Sequence, residues 1–534
     1  MRIAILSWES QHSMAVGGIA SHVTELAAAL KRKGHMVHVF TRRAPKQSAH
    51  DLIDGVHYHR CLYPPHHDFV DDVNNMCRAF VDRVFEVEDF VGHFDMIHAH
   101  DWLSANAMIW IKQGRGHKCI LTIHATEYAR CGNAFPPGRS SRIRDQERAG
   151  TYWADRVIAV SQATKNELMW MYEVPERKIS VVYNGVSPSR FEIPTDPGED
   201  KKRYDIAPLD PTVLFCGRLT WQKGPDLLIE AIPSILRFHN RSKFIFLGDG
   251  EMKADLEARV RHLGVAHAVR FTGQRNGDEL IHLFKLADVI CLPSRNEPFG
   301  IVVLEAWSAC KPVVVTQNGG PSEYVWHEVN GLKIEPKPDL VAWGVCSLFS
   351  DFERARWMGR NGRKTAMERF TWDTIVEQTL AVYEEVCPGT TRSAFVHPPG
   401  TLRNHKESAD KDISGQLPDD AELVEVVNRI DEQCQVRDLL AKLKLKTNSF
   451  RCGACHALAS YKQSLAQLGI QSRKFNGSLI LEGDWETVLA AVKRCHQMMH
   501  QKGIGQVACK FELETSLLSS ANDRFRRVTG PVGN

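Results

Sequence analysis

Residues 294–306, SRNEPFGIVVLEA, place two carboxylates, Glu297 and Glu305, eight positions apart around Pro-Phe-Gly and an Ile-Val-Val-Leu run. An apolar strand-like run, DVICLPS, leads into this stretch, and GIVVLEAWSA reads as a helix opening at Gly300. Glu297 then sits in the loop at the carboxyl end of a strand, and Glu305 lies more than one helical turn further on. The two acids can bracket one bound molecule without touching each other. The amides of Gly300, Ile301 and Val302 fall in the first turn, where they lack intrahelical acceptors and lie at the positive end of the helix dipole. That combination suits an anion. A second loop, FCGRLTWQKG (215–224), puts Arg218 and Lys223 between a strand and a helix. Two cations there can clamp a diphosphate and the charge that grows on it as a leaving group departs. A third place, Gly17-Gly18, follows the strand RIAILSW and opens the helix HVTELAAAL. Two glycines at a helix start give amides room to meet a phosphate.

Chemistry of this kind needs strand ends, and the sequence supplies them. Near-continuous apolar runs recur at 2–8, 36–41, 96–100, 119–125, 156–161 and 179–185, and again at 212–217, 243–250, 269–273, 288–294 and 311–316. Helical stretches alternate with them, as at 22–34 and 224–238. Strands apolar along their whole length, with helices between, predict parallel sheets covered on both faces. A Pro-, Asp- and Lys-rich break at 188–211 divides the runs into two Rossmann-like domains, 1–190 and 191–387, the second ending in a helix over 370–386. Residues 188–211 and that helix are the natural hinge. Ligands of open parallel sheets bind beyond the carboxyl ends of the strands, which is where each motif falls. Residues 388–420 read as a polar linker. Residues 421–520 read as a small α+β domain: helices at 421–434, 454–469 and 484–503, a hairpin over 471–483 turning at Asn-Gly, and a strand at 506–514.

The 534 residues exceed what one core usually holds. With 67 Lys+Arg against 64 Asp+Glu, the balance gives no argument for a nucleic-acid partner. No apolar run reaches 18 residues, and the N-terminus MRIAILSWE lacks the pattern of a signal peptide. Fourteen scattered cysteines suit reduced thiols in a cytoplasm.

EPFGIVVLE resembles the paired-glutamate motif of retaining glycosyltransferases of the GT-B fold, family 4 in particular. GRLTWQKG resembles the same family's diphosphate segment, and ADRVIAVSQATKNEL, VVYNGVSPSRF, FLGDGE and QNGGPSEYV are similar to further family segments. HAHDW (98–102) resembles a stretch of glycogen and sucrose synthase relatives. The resemblance spans about 1–387 and implies a GT-B architecture with an interdomain cleft. It implies that Arg218 and Lys223 bind the donor diphosphate, that Glu305 meets the ribose, and that Glu297 meets donor-sugar hydroxyls beside the backbone of Phe299, Gly300 and Ile301. Gly18 would approach the phosphate from the other domain. His124 in LTIHATEY would lie close to the transferred sugar, Asp101 would line the acceptor side, and Asn184 would lie near the cleft. The base would rest near Gly273–Arg275.

The expectation is a hexosyl transfer from a nucleotide-diphosphate sugar to a saccharide, lipid-linked or other hydroxyl acceptor, with no metal and no resident cofactor. No paired-aspartate motif at a strand end asks for a divalent ion, and fixed cations with helix-terminal amides can carry the leaving-group charge. Glu297 is not read as a glycosidase-type nucleophile. Alternatives are a GT-B enzyme of another reaction type, such as an epimerase, or an inactive sugar-nucleotide sensor. A cytoplasmic site of action is expected, with peripheral membrane association as the variant. CGACH (452–456) fits a haem-attachment spacing but reads better as plain thiols, and the Pro64–Asp68 histidine cluster reads as a polar loop. The 477–503 region is similar to the small thiamine-binding, ferredoxin-like family, which suggests an oligomerising or ligand-sensing module.

Overall fold

The computed structural model describes residues 1–15 and 17–389, and the backbone of four strands beyond them. By its contacts the chain divides into two compact units, Met1–Pro398 and Pro399–Asn534.

The first unit holds two sheets. One runs over eight strands: β1 (Arg2–Leu6), β2 (Met36–Arg42), β3 (His50–Ile53), β4 (Val56–Cys61), β5 (Met96–His100), β6 (Cys119–Ile123), β7 (Arg156–Ala159) and β8 (Ile179–Val181). Their spatial order is β3-β4-β2-β1-β5-β6-β7-β8. The other sheet has six: β9 (Thr212–Cys216), β10 (Lys243–Leu247), β11 (Val269–Gly273), β12 (Val289–Leu292), β13 (Val313–Thr316) and β14 (Leu332–Ile334), in the order β11-β10-β9-β12-β13-β14. The parallel, doubly wound arrangement follows the apolar runs. Both faces are covered, so strands such as β1 and β9 can be apolar at four consecutive positions, Ile3–Leu6 and Val213–Cys216.

Each sheet has one place where the strand order reverses: between β1 and β5 in the first, between β9 and β12 in the second. Loops leaving strands on either side of such a point diverge and leave a crevice. Gly17-Gly18 follows β1, and His100-Asp101 ends β5. Arg218 and Lys223 follow β9, and residues 294–300 follow β12. The motifs therefore occupy the two crevices the winding creates.

Three strands escape the apolar pattern. Strands β3 and β4 form an antiparallel hairpin, Ile53 opposite Val56, on an otherwise parallel sheet. Asp54 and Gly55 turn it with φ of 51° and 76°, the geometry an Asp-Gly pair favours. Strand β4, VHYHRC, is buried although it carries two histidines and an arginine. Strand β14 has only three residues. The helix Trp372–Val386, expected to close the second domain, packs instead against the first sheet. Trp372, Ile375, Val376 and Tyr383 share a core with Ile3, Val23 and Val37. Tyr383 bonds His98 Nδ1 at 2.7 Å. Among the described residues all nine cysteines are free, and no helix is long and apolar enough to cross a membrane. His66 and His67 lie in an exposed loop whose Asp68 caps the helix Phe69–Val91.

The remaining strands, β15 (Leu439–Thr447), β16 (Gln471–Phe475), β17 (Ser478–Gly483) and β18 (Val507–Thr515), form one antiparallel sheet in the order β16-β17-β15-β18. The expected hairpin is present, Phe475 opposite Ser478, as is the expected final strand. The central strand β15, LLAKLKLKT, was not among the expected elements. The linker, the three helices expected in this region and CGACH (452–456) lie outside the described residues.

Burial of histidine makes the first sheet pH-sensitive. His38 stacks on His57 and His59, and bonds His59 at 2.9 Å. Burial, then neighbouring histidines, push His38 down to about 4, and burial does the same to His98, to about 3. An unfolded histidine titrates near 6.5. Below that value the unfolded chain binds protons that the folded chain refuses, so stability is lost as pH falls from about 6.5 toward about 4. A His38→Leu/His59→Leu variant is expected to lose less melting temperature than the parent protein between pH 6.5 and 4.5, as followed by circular dichroism.

Candidate active site

The loop 294–300 is fixed by contacts that leave no room for side chains. Gly300 adopts φ 89°, a left-handed conformation, and starts the helix Ile301–Ser308. A Cβ on Gly319 would lie 2.1 Å from the Glu297 carbonyl oxygen, and one on Gly320 would lie 2.4 Å from that of Pro298. The Gly320 N–H donates to the Glu297 carbonyl at 2.8 Å. Phe299 is 2% exposed and packs on Tyr183, Tyr324 and Phe370. Its carbonyl accepts the Tyr324 hydroxyl, so that backbone oxygen already has a partner within the fold.

Lys223 and Glu297 meet. Lys223 Nζ lies 2.8 Å from both carboxylate oxygens, and Ser294 Oγ donates to Oε2 at 3.0 Å. The acid and the clamp cation expected to serve different parts of a ligand thus form one unit. Arg218 is exposed and has no side-chain partner among the described residues. Glu305 lies further along its helix. Burial pushes its carboxyl up to about 7, and the distant Arg190 pulls it back only in part. Ile301 and Val302 are half-buried on the first turn of this helix. Gly273 ends β11, at the sheet edge two strands from β9, with open space where a Cβ would stand.

The other wall comes from the first sheet. A Cβ on Gly18 would lie 3.2 Å from Ile301 Cδ1, so the starts of helices Gly18–Arg32 and Ile301–Ser308 face each other closely. The Gly17 amide, expected to be free for an anion, donates to Glu9 Oε2 at 2.8 Å. A carboxylate of the chain already answers the positive end of that helix. One turn on from Gly18, His22 lies edge-on to His124, ring centres 4.5 Å apart. His124 Nε2 is 3.0 Å from His100 Nδ1. Burial, then His98, push His124 down to about 3, so the imidazole is neutral at pH 7.

Asp101 does not line an open surface. It is 3% exposed, and its Oδ1 accepts the His124 N–H at 2.6 Å. Burial pushes its carboxyl up to about 6 against the pull of Arg130. It has φ 55° and caps the helix Trp102–Arg115, a position that turns its carboxylate inward. Asn184 is likewise inside, 2% exposed.

Two residues that join the halves were not singled out from the sequence. Glu323, within the quoted QNGGPSEYV, accepts from the Gln162 and Ala163 amides at 3.0 and 2.8 Å and from the Tyr183 hydroxyl at 3.1 Å. It caps the helix Gln162–Tyr172 from across the cleft. Asn296 reaches Asn133 at 3.1 Å. Their signal was only a position beside known motifs, because capping from another domain leaves no local pattern.

The close approach at Gly319 gives a stability test. Gly34 has a similar φ of 88° with nothing within 4 Å, so Gly34→Ala measures the left-handed penalty alone. Gly319→Ala adds the collision with Glu297 and a backbone pair, φ 81° with ψ −157°, that is essentially confined to glycine. It is expected to cost roughly 1–3 kcal/mol more than Gly34→Ala in denaturant unfolding.

Comparison with known proteins agrees with this arrangement. Residues 16–190 match the family described as Glycosyltransferase Family 4, and residues 197–365 match Glycosyl transferases group 1. An uncharacterised glycosyltransferase of Methanocaldococcus jannaschii, MJ1607, is 37% identical over 388 residues, 72% of this chain and 98% of that protein. The glycogen synthase of Mycobacterium tuberculosis is 29% identical over 399 residues, 72% of this chain and 94% of that one. The structure of Anabaena HepE in complex with UDP-glucose superposes with a TM-score of 0.60 at 21% identity, over 72% of this chain and all of that one (100%), a likeness of fold. The two facing sheets are those of a GT-B fold, and the chain belongs to the group 1, family 4-like glycosyltransferases.

Proposed function

We propose that the protein is a retaining glycosyltransferase that moves a hexosyl group from a nucleotide-diphosphate sugar to a saccharide or other hydroxyl acceptor, without a metal in the transfer step. The observation that carries this reading is the apposition of two helix starts, at Gly18 and Ile301, beside the Lys223–Glu297 pair. Helix-terminal amides and fixed cations are what a departing diphosphate needs, and a site that presents them preorganised stabilises it without reorganising. Arg218, without a partner of its own, and Lys223 are assigned to that diphosphate. Glu297 is assigned to the donor-sugar hydroxyls, Glu305 to the ribose and His124 to the sugar's other side.

In a retaining transfer the acceptor oxygen bonds to the anomeric carbon on the face the phosphate leaves. The C–O bond to phosphate breaks, and the departing phosphate oxygen takes the acceptor's proton. No side chain then has to become a covalent nucleophile, and positioning supplies much of the rate. Glu323 and Asn296 hold the halves together around the reaction, which limits water attack on the donor.

Glycogen synthase among the relatives, and UDP-glucose in the HepE complex, favour a hexosyl donor and a soluble saccharide acceptor in the cytoplasm. The antiparallel order β16-β17-β15-β18 suits a ferredoxin-like module, read here as an oligomerising or ligand-sensing addition.

The direct test is a screen of ADP-, UDP- and GDP-sugars for nucleotide release with and without candidate acceptors. Acceptor-dependent release from one donor is expected. Lys223→Ala should lower that turnover about 100-fold or more. Lys33→Ala, which loses only an exposed pair with Glu377, should leave it nearly unchanged. Equal turnover in the two variants would remove the diphosphate clamp from the mechanism.

Glu305 gives a pH signature. Its carboxyl titrates at about 7, and only the ionised form accepts hydrogen bonds from both ribose hydroxyls. Donor KM is expected to rise as pH falls through 7, approaching about tenfold per pH unit well below it. In Glu305→Gln, KM should be higher at neutral pH and nearly flat over the same range.

A further inference from the structure

Polar atoms without partners collect at one place beneath the helix Gly18–Arg32. His22 is 6% exposed, and neither ring nitrogen makes a well-aligned hydrogen bond, with the Asn184 side chain within reach of the ring. It faces the Asn184 side chain, whose Oδ1 is also unpartnered, as is Nε2 of His100, which is 1% exposed. The ring centre of His22 lies 4.5 Å from that of His124 and 5.3 Å from that of His100, and Trp372 closes edge-on at 5.2 Å. One ligand nitrogen from each of the three histidines lies within 4.8 Å of the others. A buried polar group left unmade costs roughly 1–3 kcal/mol. Several such atoms, all around one point, call for something that binds them.

We propose that His22, His100 and His124 hold a divalent transition-metal ion of the zinc class, with the Asn184 oxygen or a water as fourth donor. The donor set fits. Imidazole nitrogens suit zinc, copper and nickel, and three imidazoles with one oxygen make a tetrahedral site. A zinc–nitrogen distance of about 2.1 Å places such nitrogens about 3.4 Å apart, which small ring rotations reach from the observed spacing. His100 and His124 are closer still, at 3.0 Å. A neutral imidazole has one lone pair and one N–H, so that hydrogen bond and coordination by both rings exclude each other. The ion takes the place of the shared proton, which moves to the other nitrogen of the ring that held it, so both imidazoles stay neutral. Asp101, bonded to the His124 amide, brings a buried carboxyl group next to the site.

The ion takes no part in the transfer. Coordination occupies the His124 ring nitrogen, so, resting on the role assigned to His124 above, a bound ion acts as a metal-dependent brake on the enzyme. Binding itself does not depend on that assignment and is measured separately from activity.

The test uses the full chain, stripped with a chelator and titrated with Co²⁺, reading the visible d–d absorption, then displaced with Zn²⁺. The parent protein should show a tetrahedral cobalt spectrum. His22→Gln and His22→Phe should each bind one equivalent less, or bind it at least tenfold more weakly. His93→Ala, which disrupts a separate group formed with Glu88 and His117, should retain it. Circular dichroism confirms that the variants are folded. If both His22 variants fail to fold, an anomalous-scattering peak among the three imidazoles in zinc-soaked crystals takes their place as the supporting result. Cobalt spectra and stoichiometry unchanged in folded His22 variants, or soaked crystals without that peak, overturn the proposal and leave water as the partner of these atoms.

Discussion

The carboxylate of Glu323 ties the molecule together. It sits on the second sheet's side and accepts from the first amides of helix Gln162–Tyr172 on the other. A charge at the positive end of a helix is worth most near the first turn, and this one also fixes the Tyr183 hydroxyl. The helix Trp372–Val386 supplies the second tie. It starts beside the isolated Val186–Thr371 bridge and buries Trp372, Ile375 and Tyr383 in the core of the first sheet. The two crevices face each other because of these two ties, one electrostatic and one apolar.

The cleft they produce is arranged around carboxylates of the chain paired with a helix-terminal amide and a cation. Gly17 gives its amide to Glu9, and Lys223 is held by Glu297. The chain's own carboxylates thus lie against the groups best suited to an anion. Paired in this way, Lys223 is not held bare in a partly buried place. Arg218 is exposed and has no side-chain partner among the described residues. On the other wall burial keeps the histidines neutral, and the same burial leaves several of their nitrogens without partners.

Much of this was legible in the sequence because it depends on local periodicity. Eleven apolar runs marked strands that are in fact strands, and the motifs fell at their carboxyl ends. Strand β4 was hidden because its buried positions include His59 and Arg60, which bond His38 and Asp51 on the neighbouring strands. The Asp54-Gly55 turn beside it was readable and was overlooked. The family resemblance of HAHDW implies that Asp101 lines the acceptor side, whereas the structure buries it. Its inward turn follows from a positive φ and from the His124 amide, neither visible in HAHDW. Gly319 and Gly320 were quoted without a role, because the backbone they must clear is separated from them by about 20 residues of chain.

The sequence alone determined the class of fold, the family resemblance and the loops that carry the chemistry. Each of these rests on residue types at short spacing, and parallel strands buried on both faces admit few other patterns. Only the tertiary structure decided what those loops meet: that Glu297 grips Lys223, that Gly18 faces Ile301, that the helix Trp372–Val386 crosses to the first sheet and that three histidines converge. Such pairings join residues far apart along the chain, and they are set by how two sheets pack rather than by any local preference of the backbone.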